Sequence, residues 1–146
     1  MAIDLQEANS PVPSNLKWPS FFPDRCPPAD AIPAEGVVFR LVFNDPPRAD
    51  DFLPWAIEKD KVAKSKHCQA CAVSVFERID ELRKMQRRVP AQRPKAVAEG
   101  ELKPEMGVTK RSSGKGRSHR SWWVPDGLDP SPLFRVIAPP LQPEEA

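Results

Sequence analysis

The residues best suited to chemistry gather in three places. His119 is one of two histidines in the chain and stands in the stretch RSSGKGRSHR, beside Arg117, Arg120 and Ser121. An imidazole there can take or give a proton near neutral pH. With Arg40 and Ser74, which fall on strands by the patterns below, it outlines a pocket for a phosphorylated or nucleotide-like substrate. The same stretch is strongly cationic: Lys110, Arg111, Lys115, Arg117 and Arg120 fall between 106 and 121 with no acid among them. Its glycines and serines let the backbone approach phosphates, and its cations attract polyanions through counterion release. Trp122 or Trp123, next along, offers a ring to stack on an exposed base or to meet a partner. Arg83, Lys84, Arg87 and Arg88 would extend that positive surface from a neighbouring helix. The third place is Cys68-x-x-Cys71, with Cys26 and His119 as remote partners. Tetrahedral zinc needs four such ligands, and a second paired half is missing, so no cofactor is expected and the cysteines read as free thiols.

The elements that must position these groups follow from periodicity. Phe76, Ile79, Leu82, Met85 and Val89 recur at spacings of three and four, which lines them along one helix face. Ser74 and Glu77 have capping-box spacing, acids lead and cations follow, and Pro90 ends the run. One principal amphipathic helix over about 75–88 is therefore expected, entered from a short strand over about 70–74. Gly36 to Phe43, GVVFRLVF, is the best strand, apolar on both faces and so central. Arg40 is its odd residue, and a cation there must find an anion. A carboxylate such as Asp51 or Glu58 is the structural partner; a phosphate or carboxylate ligand is the functional one.

Asp50 to Glu58 reads as a short helix capped by Asp50, with Phe52 inward, and 59–66 reads as a polar loop. Lys95 to Leu102 alternates weakly and reads as an edge strand. A hairpin pairs 105–110 with 118–124, and Leu133 to Ile137 makes the last strand. Trp122 and Trp123 must then point to opposite faces, so that one is core. The fold class is α+β: one mostly antiparallel sheet of four or five strands carrying one helix, with a proline-rich extended N-terminal arm. The arm spans 1–33 and is partly docked, the domain 34–138, and 139–146 frays. A compact sheet with a strand arginine, a strand-end serine and a remote histidine resembles ADP-ribosyltransferase-like domains. The resemblance is one of layout, matches no motif residue by residue, and transfers no function.

Composition sets the outer bounds. The chain has 146 residues, 40% of them hydrophobic, and 19 prolines, against a usual proline share of about 5%. Seven of those prolines lie within 1–35, where helix and interior strand are disfavoured. Trp18, Phe21 and Phe22 in that arm are costly to leave in water, so they dock on the domain or on a partner protein. No apolar run is long enough for a membrane span, and MAIDLQEANS lacks the marks of a secretory signal. Free thiols without a signal imply a cytoplasmic setting. Net charge is +2, but residues 1–60 hold five basic and ten acidic side chains, whereas 83–120 hold twelve basic and three acidic. Such polarity favours polyanionic partners. The leading expectation is thus a non-enzymatic binding or accessory module contacting nucleic acid or an acidic protein. A transferase or hydrolase using His119, Arg40 and Ser74 is the second reading. Protein–protein recognition through the aromatic arm is the third.

Overall fold

The computed structural model describes residues 15–54, 57, 68–111 and 118–141. β-branched and aromatic residues organise these into one antiparallel sheet: β1 (Ile32–Pro33), β2 (Gly36–Val42), β3 (Val73–Phe76), β4 (Ala96–Leu102), β5 (Val108–Arg111), β6 (His119–Trp123) and β7 (Phe134–Ala138). The spatial order is β1-β5-β6-β3-β2-β4-β7. A single α-helix, α1 (Ile79–Arg88), lies among the described residues, so the α+β class with one helix holds. The sheet has seven strands rather than four or five. The strand with no counterpart in the expectation is β1, a two-residue pairing from the proline-rich arm onto β5; β4 is interior because β7 pairs along its far side. The expected edge position of 95–102 is corrected on the same ground.

α1 begins later than the pattern suggested. Ser74 and Phe76 belong to β3, paired with Ser121 and His119 of β6, and the helix starts at Ile79 behind Arg78. Val73 and Val75 are buried on one face of β3 while Ser74 and Phe76 take the other, so strand alternation overrides the capping-box spacing. Acids still open the helix and Arg87 and Arg88 close it. Within the segment expected as a helix over 50–58, Ala49–Phe52 is a 3-10 turn preceded by Arg48 rather than capped by Asp50, Ile57 is helical, and 55, 56 and 58 lie outside the described residues. Phe52 is buried as expected.

The sheet buries both faces. One face sets Val38, Val42, Val75, Trp122 and Phe134 in a common core with Phe52 and Met106. The other sets Leu41, Phe76 and Val97 beneath Leu82 and Met85 of α1. Trp122 and Trp123 do point apart: Trp123 lies under Trp18 and Phe22 of the arm, which dock beside Ala72 and Val108. No helix among the described residues is long and apolar enough to cross a membrane.

The thiol expectation is corrected. Cys26 and Cys68 form a disulfide that ties the arm to the turn Cys68–Cys71, and Cys71 is the buried free thiol. The argument for a reducing compartment, which rested on free thiols, loses that support. Denatured without reductant, each chain should titrate one thiol, rising to three after reduction. Because the bond joins residues 42 apart in sequence, its loss should cost about 2–4 kcal/mol in denaturant unfolding. Three thiols before reduction would refute the bond.

Candidate functional site

β2 and β3 are neighbours that pair in register at Phe39 and Phe76 alone. Antiparallel continuation would set Leu41 beside Ser74. Instead both line a cleft of about 790 Å³, bounded by α1 on one side and by the turn Cys68–Cys71 on another. Arg40 stands where the ladder parts. Its Nη1 donates to the Ser74 carbonyl at 2.7 Å and its Nε to the Asp51 carbonyl at 2.8 Å. Both acceptors are backbone groups, whereas the Asp51 carboxylate accepts the amides of Phe43 and Arg48 at 2.8 and 2.9 Å. Arg40 therefore meets Asp51 at its peptide carbonyl, whereas the expected partner was the carboxylate. Glu58 lies outside the described residues.

The cleft brings Arg40, Ser74 and His119 together. His119 opens β6 rather than riding in an exposed loop, and it is only 4% exposed. Its Nε2 lies 3.1 Å from Ser74 Oγ, and the edge of Phe76 meets its ring. Ser74 itself is exposed. Arg88 from the end of α1 and Lys95 from the approach to β4 add two further cations, with Lys95 Nζ 4.8 Å from the Phe43 ring centroid. No Asp or Glu stands among the described lining residues. Leu82, Met85 and Val89 supply an apolar wall opposite the polar one. A cation-rich cleft with one apolar wall suits an anionic ligand carrying a flat or apolar group.

Lys95, Gln69 and Gln92 are cleft residues that sequence reasoning missed. The available signal was at Lys95, which immediately precedes the strand registered against Val42 of β2. Gln86 holds that approach in place: it is fully buried on α1, and its Nε2 donates to the carbonyls of Gln92 and Lys95 at 2.9 and 2.8 Å.

The remaining predicted site residues lie elsewhere. Lys110 pairs with Asp30 of the arm at 3.0 Å, a contact that also holds the Asp30 carboxyl below its ordinary value. Arg111 and Arg120 both pair with Glu77, and Arg120 also donates to Thr109. Arg83 donates to Gln86 and to the Pro139 carbonyl. Lys84 and Arg87 are exposed along α1. Lys115 and Arg117 lie outside the described residues. Trp122 and Trp123 are buried, and their indole N–H groups donate to the carbonyls of Met106 and Cys68. Of the zinc candidates, Cys26 and Cys68 are bonded to each other, and His119 faces Ser74. Among the described residues no group of three or more His, Cys, Asp or Glu side chains is placed to hold a metal.

The strand carrying His119 is anchored by a carboxylate. Glu81 of α1 accepts the Ser118 amide at 3.1 Å and the Ser118 hydroxyl at 3.0 Å. The Ser118 amide holds the Glu81 carboxyl below its ordinary 4.5, with desolvation opposing and the hydroxyl assisting. Since the folded value is the lower one, this anchor is complete above pH 4.5 and is lost as pH falls through the depressed value. Below pH 4.5, Tm of Glu81→Gln should therefore fall less steeply with pH than that of the parent protein. Parallel profiles would show that Glu81 adds nothing to acid sensitivity.

Comparison with protein-family models, curated proteins and solved structures finds no match to this chain.

Proposed function

We propose that this protein is a small transferase or hydrolase that binds a phosphorylated, nucleotide-like substrate in the cleft where β2 and β3 part. The observation that carries this reading is the convergence of Arg40, Ser74 and His119 in one concavity. Arg88 and Lys95 supply charge for phosphates at its rim, and Leu82, Met85 and Val89 supply a surface for a base.

The basic-surface reading draws less support. It needs Lys110, Arg111 and Arg120 available to a polyanion, and these are matched by Asp30 and Glu77. It also needs a tryptophan to stack on a base, and both are buried. Recognition through the arm meets a similar obstacle, because Trp18 and Phe22 pack on the chain's own Trp123.

The test is calorimetric titration with ADP and with inorganic pyrophosphate. Both should bind, more weakly as salt rises. Reversing two rim charges in Arg88→Glu/Lys95→Glu should weaken pyrophosphate binding by about tenfold or more, equivalent to roughly 1.4 kcal/mol. Unchanged affinity in that variant would remove the cleft as the anion site.

A further inference from the structure

The geometry points to Ser74 as a nucleophile that takes a phosphoryl or nucleotidyl group onto its own oxygen, with His119 accepting its proton. This inference rests on the proposed cleft reading and adds to it a covalent step.

Three observations carry it. First, His119 is 4% exposed, and its Nε2 is 3.1 Å from Ser74 Oγ. A base so enclosed acts on the cleft through the hydroxyl that covers it. The hydroxyl, exposed on the cleft wall, is the atom a substrate meets. Second, the separation is that of a hydrogen-bonded nucleophile and base. With the ring proton on Nδ1, Nε2 accepts from the hydroxyl and raises its nucleophilicity; the Phe76 ring packs against the imidazole at 76° to its plane. Third, Arg40 Nη1 donates to the peptide carbonyl of the same serine at 2.7 Å, a charge-assisted bond that fixes the backbone carrying the hydroxyl.

The chemistry balances without an added co-reactant. Ser74 Oγ forms a bond to the phosphorus of a phosphoanhydride, and the bond from phosphorus to the leaving phosphate or nucleotide oxygen breaks. The hydroxyl proton passes to His119 Nε2 and then to the departing oxygen. Water or an acceptor hydroxyl next attacks the serine ester, gives its proton to His119, and releases Ser74, which recovers that proton.

The experiment uses an alkyl fluorophosphonate, whose phosphorus loses fluoride on attack, with the adduct located by intact mass and peptide mapping. One adduct per chain is expected, on Ser74, absent in Ser74→Ala and slowed by excess pyrophosphate. His119→Gln, whose amide can keep the hydrogen bond to Ser74 but has no basicity, should slow labelling roughly 100-fold or more. Because His119 is buried, the variant's melting curve is recorded alongside. In His119→Ala, free imidazole should restore part of the rate, which a merely structural histidine would not allow. If Ser74 stays unlabelled in protein that binds pyrophosphate, the nucleophile is refuted and the cleft reading stands. Labelling of Ser74 at full rate in a folded His119→Gln protein would refute the pairing with His119. Labelling of Ser74 in protein that does not bind pyrophosphate would support the nucleophile and remove the cleft reading instead.

Discussion

Arg40→Ala is expected to lower stability by about 2–4 kcal/mol and to weaken pyrophosphate binding by roughly 30- to 100-fold. Both effects have one origin. Where β2 and β3 part, the carbonyls of Ser74 and Asp51 find their donors in the Arg40 guanidinium at 2.7 and 2.8 Å. Each is a charge-assisted bond worth about 1.5–3 kcal/mol, and the one at the open side of the cleft is discounted for solvent. The guanidinium also lies over the Phe52 ring at 5.8 Å, so truncation exposes part of an aromatic that is otherwise buried. Arg40→Lys restores the charge without the planar fork, since one ammonium cannot reproduce two divergent donors. It should recover binding in part and stability hardly at all. Lys95→Ala should do the reverse, losing affinity while Tm holds. If Arg40→Ala binds pyrophosphate like the parent protein, Arg40 is a structural clasp and the substrate lies elsewhere.

The parts of this arrangement that were legible in the sequence are those set by a strong, short-range pattern. GVVFRLV is a central strand because both of its faces are apolar, and Arg40 is conspicuous for the same reason. Adjacent tryptophans on a strand must part, and Trp122 and Trp123 do so, into two different cores. The misreadings occur where two local rules compete. Ser74 and Glu77 have the spacing of a capping box, yet the alternation from Val73 to Phe76 belongs to a strand that pairs with β6, and long-range pairing outweighs a cap of about 1 kcal/mol. Glu77 was thereby reassigned from a helix cap to the partner of Arg111 and Arg120.

His119 illustrates the same limit from the other side. Its flanks, RSSGKGRS and RS, are those of a solvated loop; the strand expected over 118–124 includes the histidine, but nothing local indicates that it is buried against Phe76. β4 looks like an edge because Glu99 and Glu101 interrupt it. It is interior because β7 pairs along Val97 to Gly100, with Arg135 directly opposite Glu99 and 3.6 Å from its carboxylate. The Cys26–Cys68 bond joins segments 42 residues apart, which spacing alone cannot select from three cysteines. The pocket trio was nameable from sequence, but its convergence depends on the parting of β2 from β3, a tertiary feature with no one-dimensional signature.

The stability of the strand that carries His119 should depend most sharply on a residue with no side chain at all. Gly107→Ala is expected to cost about 3–5 kcal/mol, a large share of the roughly 5–15 kcal/mol available to a domain of this kind. Gly107 joins the turn Pro104–Met106 to β5 at φ 113 and ψ −147, a conformation essentially confined to glycine and worth about 1–3 kcal/mol of strain in any other residue. A β-carbon there would sit 2.1 Å from the Trp123 carbonyl oxygen and 3.0 Å from Pro125. Neither can yield cheaply: Trp123 is held by its indole bond to Cys68, and Trp122 donates to the carbonyl of Met106, next to the glycine. Relief of the clash would move the β5–β6 pair, and with it Ser121 and His119 against Ser74. Gly127 provides the control, with φ 85 and open space where its β-carbon would stand. Gly127→Ala should therefore cost only about 1–2 kcal/mol, the left-handed penalty without the collision. Urea unfolding of the two variants separates the terms. A clear difference in midpoint at unchanged m locates the excess in the native packing of Gly107 against Trp123, whereas equal midpoints would show that the close approach contributes nothing.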